Sequence, residues 1–225
     1  MARKQSRGIC NYCGKEMSKG GISRHLKSCS ARKEAIAEAT NGKEQAIYHL
    51  QVQDAEGGDY WLHLEMNGAS SLQQLDNYLR AIWLECCGHL SQFSIGGAWS
   101  GMEVAMSRKI DRVFDMSDEL THVYDFGTSS ETKIKCVGVR KGAPLTKHPI
   151  ALMARNTIPA APCQECDKPA AWVCMECIYE HELPGLLCEE HAEDHPHDDY
   201  GGVMAFVNSP RVGMCGYDGP AEPPY

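Results

Sequence analysis

The chain has 225 residues, 43% of them hydrophobic, with twelve cysteines, ten histidines and a formal net charge of −8. That length holds one or two small domains, enough for one conventional core with metal-stapled appendages. The basic start at Met1 to Gly8 is not followed by an apolar segment, and no run approaches a membrane span. Nothing in these features directs the chain to the secretory path, and the cytoplasm is the expected location, where cysteines are read as metal ligands and buried thiols rather than disulfides. The charge is segregated. Residues 1–43 carry ten Lys/Arg against three Asp/Glu, and residues 44–225 carry twelve against twenty-seven, the pattern of a basic arm on an acidic body.

The first unit, residues 1–43, contains Cys10-x2-Cys13-x11-His25-x3-Cys29. Three thiolates and one imidazole at this spacing suit a hairpin followed by a helix around one zinc ion. The helix is expected to begin near Gly21 and to continue through Ala39. Ile22, His25, Leu26 and Cys29 share its inner arc at about 100° per residue, so Arg24 and Lys27 point away from the metal. With Lys19 and Arg32, and with Arg3, Lys4, Arg7, Lys15 and Lys33 nearby, they are the candidate phosphate contacts, because clustered cations displace counterions from nucleic acid. A solvated helix face, or a protein-binding peg, stands as the alternative. Asn41-Gly42 closes the unit.

Residues 44–156 switch to alternation. Ile47–Gln53 and Tyr60–Met66 read as two half-buried strands joined through Asp54–Asp59 as a hairpin. An amphipathic helix follows, capped by Ser71 with Gln74 three residues on, with Leu72, Leu75, Leu79, Ile82, Trp83 and Cys86 along one side and a stop at Gly88. His89–Ile95 reads as a further strand. Thr121–Phe126 and Thr132–Val139 form a second hairpin around Gly127–Ser130.

Residues 157–200 hold the densest signal. Cys163-x2-Cys166, Cys174-x2-Cys177 and Cys188-x2-His191 are followed by His195 and His197, eight ligands within thirty-five residues. Eight imply two zinc ions, three in the whole chain. Their alternation as pairs implies a cross-brace: Cys163, Cys166, Cys188 and His191 on one ion, Cys174, Cys177, His195 and His197 on the other. The ten residues between Cys177 and Cys188 exceed the B-box spacing that this stretch resembles and leave room for His181 or Cys215 to replace one ligand. The Gly/Pro-rich tail, residues 201–225, is expected to pack on this module at Val203–Val207 and to fray beyond Pro220. The fold class is therefore α+β: a small antiparallel-sheet domain packed on a central helix, between an N-terminal CCHC finger and a C-terminal two-zinc cross-brace module.

Ile47–Val52, the Leu72–Phe93 segment with Trp83 and His89-Leu90-Ser91-Gln92-Phe93, and Tyr124-Asp125-Phe126-Gly127 resemble the plasmid open-reading-frame-three-like (pRiA-type) proteins, also labelled insertion-element passenger proteins of a TnpR type. The resemblance covers about residues 44–155. Leu152–Asn156 and the Asn208–Arg211 to Tyr217 tail resemble a subgroup with added zinc segments. Thr128, Ser129 and Ser130 stand where many relatives carry an acidic residue and a tryptophan. The resemblance implies an association with mobile elements and brings no settled biochemical activity.

Three constellations imitate enzymes. His63-Leu64-Glu65 with Pro162-Cys163-x2-Cys166 spells the zinc-deaminase formula, but the halves are far apart and His63 falls in a strand. Cys86, Cys87 and His89 look like a thiol and its base, yet adjacent cysteines at a helix end are commonly core and boundary residues. Asp125-Phe126-Gly127 lacks the phosphate loop of a kinase. His49, His63, His122 and His148 have no paired partners in sequence and are read as surface or core residues. The expected function is a non-enzymatic zinc adaptor that touches DNA or RNA through the basic finger. Its acidic module, eleven Asp/Glu against one Lys over residues 157–200, suits a protein partner or a second copy. The alternatives are a pure protein-interaction scaffold and, last, a zinc-dependent hydrolase or deaminase.

Overall fold

Alternation along Gln45–Asp54 (β3) and Trp61–Asn67 (β4) builds the expected hairpin, with Gln53 opposite Trp61 and Ile47 opposite Asn67. Asp54 closes its loop by accepting the amides of Gly57, Gly58 and Tyr60. The computed structural model describes residues 6–40 and 42–225; Arg3, Lys4 and Asn41 lie outside the described residues. Their chain folds into two compact units, the first comprising residues up to Leu79, Leu90–Thr157 and Tyr225, the second Arg80–His89 and Ile158–Pro224.

In the first unit nine strands form one antiparallel sheet in the order β2-β1-β9-β4-β3-β8-β7-β5-β6. The others are Arg7–Cys10 (β1), Glu16–Ser18 (β2), Ser91–Ile95 (β5), Met102–Val104 (β6), Glu119–Tyr124 (β7), Ser130–Gly142 (β8) and Ile150–Asn156 (β9). The hairpin of β7 and β8 pairs Tyr124 with Ser130, as expected. Ile150–Asn156 has no clear alternation in sequence because it lies inside the sheet, between β1 and β4. The hairpin of the N-terminal finger is thereby extended into the large sheet, with Gly8 opposite Asn156 and Cys10 opposite Ala154. Gly8 makes that close approach possible: a Cβ there would sit 2.3 Å from the Arg155 carbonyl oxygen and 2.3 Å from the Trp61 ring.

β4 is buried on both faces. Its register with β3, β8 and β7 sets Leu62, Leu64, Val52, Leu50, Ile134 and His122 on one side. That side carries Leu72–Leu79 (α3), whose Asp76 carboxylate is bonded to His122 Nε2 at 2.8 Å and accepts from Ser91 Oγ at 2.6 Å. Gln74 Oε1 accepts the Ser71 amide at 3.0 Å, one arm of the expected capping box. The helix was expected to run to Cys86; instead α-helical bonding ends at Leu79 and a π turn occupies Arg80–Leu84. A short helix, Ile110–Phe114 (α4), had no distinct signal in the sequence.

The opposite side of β4 presents Trp61, His63 and Glu65 to Lys19–Ser28 (α1) and Ser30–Ala37 (α2). These were expected as one helix. Cys29, at ψ 118°, interrupts it, because the thiol must turn toward Cys10 while its amide still closes α1 on the His25 carbonyl at 2.8 Å.

The second unit is built on a three-stranded sheet, order β11-β10-β12, from Trp172–Cys174 (β10), Leu186–Leu187 (β11) and Val203–Ala205 (β12). Met175–Tyr179 (α5) and Glu189–Glu193 (α6) follow the second and third ligand pairs. The tail packs through β12 on β10. The expected fraying beyond Pro220 is corrected at both Ala221, which is buried, and Tyr225, whose ring stacks on His148 at 4.0 Å and 8°.

Candidate metal centres

Four ligands around one zinc at about 2.3 Å for sulfur and about 2.0 Å for nitrogen stand roughly 3.5–3.8 Å from one another at the corners of a tetrahedron. Cys10, Cys13, His25 and Cys29 bring one ligand atom each within 4.8 Å of all the others. The knuckle closes through Gly14 N donating to the Cys10 carbonyl at 2.8 Å and Cys10 N donating to the Lys15 carbonyl at 3.0 Å, and Asn11 N ties it to Met153 O of β9 at 2.9 Å. Cys13 Sγ and His25 Nε2 are 3.2 Å apart. Cys10 and Cys29 pack with Ile22, Leu26, Trp61 and Met153. Burial pushes the Cys10 thiol up to about 11, whereas the Lys15 amide holds exposed Cys13 below its ordinary value.

In the second unit the two sets interleave in the cross-brace order. Cys163, Cys166, Cys188 and His191 form one group: His191 Nδ1 lies 3.4 Å from Cys163 Sγ, 3.6 Å from Cys166 Sγ and 3.4 Å from Cys188 Sγ, with the Cys166 and Cys188 sulfurs 3.9 Å apart. Such a separation is far beyond the ~2.05 Å of a disulfide, and none of the twelve cysteines forms a disulfide among the described residues. Burial alone would raise Cys163, but the amides of Cys188 and Glu165 and the His191 ring outweigh it and hold that thiol at about 6. Cys174, Cys177, His195 and His197 form the other group, with Cys177 Sγ 3.3 Å from both His195 Nε2 and His197 Nδ1 and Cys174 Sγ 3.7 Å from the latter. Gln164 couples the pair by donating to Cys177 Sγ at 3.5 Å while its carbonyl oxygen accepts the Gly185 amide at 2.9 Å. His181 stacks on the His197 ring at 4.7 Å and lies beside the cluster, not in it. Cys215 is bonded to Arg211 elsewhere in the tail. Neither replaces a ligand. The three sets have the residue types and spacings of sites that could hold metal ions.

The basic face is smaller than expected. Arg24 and Lys27 are exposed on α1, Lys33 is exposed on α2, and Lys15 is exposed just before β2. Arg32 is turned inward: its Nη2 donates to Glu65 Oε1 at 2.6 Å and Nη1 to the Leu26 carbonyl at 2.9 Å. Lys19 donates from Nζ to the Gly58 carbonyl at 2.9 Å, and burial lowers its pKa against the opposing pull of Asp54 and Asp59. Of the expected phosphate contacts, Arg32 is thus engaged by the Glu65 carboxylate and Lys19 by the Gly58 carbonyl within the first unit, which leaves Arg24 and Lys27 as the outward pair. Arg7 pairs with Glu16 at 3.0 Å.

Sequence reading also missed the polar residues of the sheet. Glu65 accepts from Arg32 and twice from Arg140, at 3.2 and 2.8 Å. His49 Nε2 and His63 Nδ1 are 2.8 Å apart and His63 Nε2 is 3.2 Å from Ser23 Oγ. His49, His63 and His122 are thus partnered core residues rather than isolated ones. The only advance signal was their place on alternating strands. His63 and Glu65 bind β3, α1 and α2 partners, which accounts for both without a deaminase role. No helix among the described residues is long and apolar enough to cross a membrane.

No family model matches the chain and no curated protein matches it. Among solved structures it is similar to a protein of unknown function from Methanosarcina mazei Go1, at 18% identity and a TM-score of 0.40, over 47% of this chain and 66% of that one. The chain therefore spans slightly less than two thirds of that neighbour's length.

Proposed function

We infer that the protein is a non-enzymatic zinc adaptor, with nucleic acid bound by the N-terminal basic face and a protein partner by the acidic module. One observation carries this reading: each of the three sets supplies four thiolate or imidazole groups converging within 4.8 Å. A zinc ion in such a set has a full shell of protein ligands, so it contributes folding free energy and retains no position for a reacting water. One zinc ion per set, three for these three sets, is the corresponding stoichiometry. The nucleic-acid half is supported by exposed Arg24, Lys27, Lys15 and Lys33 on one arm. The resemblance of residues 44–155 to plasmid open-reading-frame-three-like proteins adds a mobile-element association to the proposal.

A gel-shift series of the full chain against salt tests it. Binding at low salt that weakens as salt rises, and that Arg24→Glu with Lys27→Glu abolishes, is the expected result. No binding at low salt, or binding indifferent to the double substitution, removes the nucleic-acid half. That outcome would leave the protein-interaction scaffold, which has its own support in the inward-facing Arg32 and Lys19.

A further inference from the structure

Within the second unit, the segment Arg80–His89 and the tail around Cys215 bring together ligands that share no sequence motif. The π turn at Arg80–Leu84 is wider than an α turn and re-aims the residues after it. Cys86 and Cys87 follow, and Gly88, at φ 70°, reverses the chain so that His89 returns beside them. One ligand atom from each of Cys86, Cys87 and His89 lies within 4.8 Å of the other two, and Cys215 belongs to a second set that shares His89, so Cys215 is tied to the first set through His89 and through Arg211, which bonds both Cys86 and Cys215.

The tail is shaped to present that thiol. Ser209 Oγ donates to the Trp83 carbonyl of the π turn and accepts the Arg211 amide at 2.9 Å. Gly213 and Gly216 sit at φ 82° and 70°, and Cys215 itself is held at φ 53°, a left-handed conformation that a residue with a Cβ rarely adopts. Strain of this kind persists only where surrounding structure holds it and gathers at functional positions.

Arg211 supplies a second, independent observation. It is 0% exposed, and a guanidinium removed from water calls for negative charge against it. Its Nε donates to Cys86 Sγ at 3.3 Å and its Nη2 to Cys215 Sγ at 3.4 Å. One buried guanidinium thus spans the two sulfurs and fixes Cys86 of the first segment against Cys215 of the tail. A structural role as core thiols does not fit, since Cys87 and Cys215 are exposed. A Cys86–Cys87 disulfide is opposed by covalent geometry, because adjacent Cα atoms across a trans peptide stand about 3.8 Å apart, short of the ~4.4 Å minimum.

The geometry points to a fourth metal centre, in which Cys86, Cys87, His89 and Cys215 hold a divalent ion of the zinc class and Arg211 is a positioning residue. Each thiol releases its proton to solvent on ligation, with no change of oxidation state. Three thiolates and one dication leave a single net negative charge, which the Arg211 guanidinium neutralises through its N–H···S bonds. The ion clips the Arg80–His89 segment to the tail at Ser209–Tyr217.

Native mass spectrometry of the full chain loaded with Zn2+ tests the proposal. The expected count is four ions for the wild type, three for Cys215→Ser and three for Cys87→Ser, whose exposed side chain makes it the variant least prone to misfold. Arg211→Gln should retain the site but release its ion to a chelator at roughly 10–100-fold lower chelator concentration than wild type, leaving the other ions unmoved. Three ions in the wild type with no loss in either cysteine variant overturns the proposal, as does a Cys215 disulfide in the unreduced peptide map. Failure at the Cys10, Cys163 or Cys174 sets would instead appear as ions lost from those clusters with the Cys87- and Cys215-dependent ion still present.

Discussion

Replacing Glu65 by alanine removes the carboxylate that pairs with Arg32 of α2 and Arg140 of β8. The Glu65 side chain is 3% exposed, and the two arginine side chains are 14% and 16% exposed, so little solvent screens the contact. Its two oxygens accept three N–H donors, at 2.6, 2.8 and 3.2 Å. The variant leaves two half-buried like charges facing each other, and breaking a buried pair from one side costs about 3–5 kcal/mol. For a chain of this size each kcal/mol moves Tm by about 2–4 °C, so the expected fall is roughly 10–15 °C in scanning calorimetry at fixed zinc. Glu65→Gln, which retains an acceptor without the charge, should lose about half as much. Substituting Glu65, Arg32 and Arg140 together by apolar residues of similar size should recover most of the loss, since what destabilises is the uncompensated charge. Arg32→Met alone should lower Tm without altering the salt slope of nucleic-acid binding. A Glu65→Ala protein melting within about 2 °C of wild type would refute the assignment of these three residues to the fold.

Burial, with Arg32 and Lys27 adding to it, lowers His49 from 6.5 to about 4, and burial with His49 lowers His63 to about 3. The unfolded chain then binds protons that the folded chain refuses, so this stability is complete above about pH 6.5 and falls as pH drops toward 4 and 3, by about 1.4 kcal/mol per unit for each group. His49→Gln should reduce the slope of unfolding free energy against pH between 6 and 5 by about one proton; an unchanged slope in urea titrations contradicts the burial of an uncharged His49. Gly8→Ala must push β1 away from Arg155 and Trp61, and a loss of about 1–3 kcal/mol is expected. Wild-type stability in that variant would deny the pairing of β1 with β9. Stripping metal with a strong chelator should raise hydrogen exchange across residues 7–37, where Cys10 and Cys29 share a core with Ile22 and Leu26, while α3 and β7 remain protected; uniform or absent change speaks against it.

The ligand sets were legible because a C-x2-C knuckle and a His–Cys pair four residues apart are consequences of local backbone geometry. The two hairpins were legible from their period of two, and the start of α3 from Ser71 and Gln74. The cross-brace followed from the order of pairs alone. The helix ends were read less well: Cys29 breaks one helix because its thiol has a partner outside that helix, and Arg80–Leu84 widens into a π turn ahead of Cys86 and Cys87.

Charge is where local reading fails most. Arg24 and Arg32 are alike in sequence, yet one is exposed and the other is bonded to Glu65, because the energy of a cation depends on the carboxylates that folding places around it. Spacing within a turn determined which side chains can share an ion, and alternation determined which face of a strand is apolar. Only the tertiary structure decided that Ile150–Asn156 enters the sheet between β1 and β4, that His63 meets His49 and Ser23, and that Cys215 reaches His89. Those contacts join segments far apart in the chain and are chosen by desolvation over the whole sheet and tail, which no local spacing encodes.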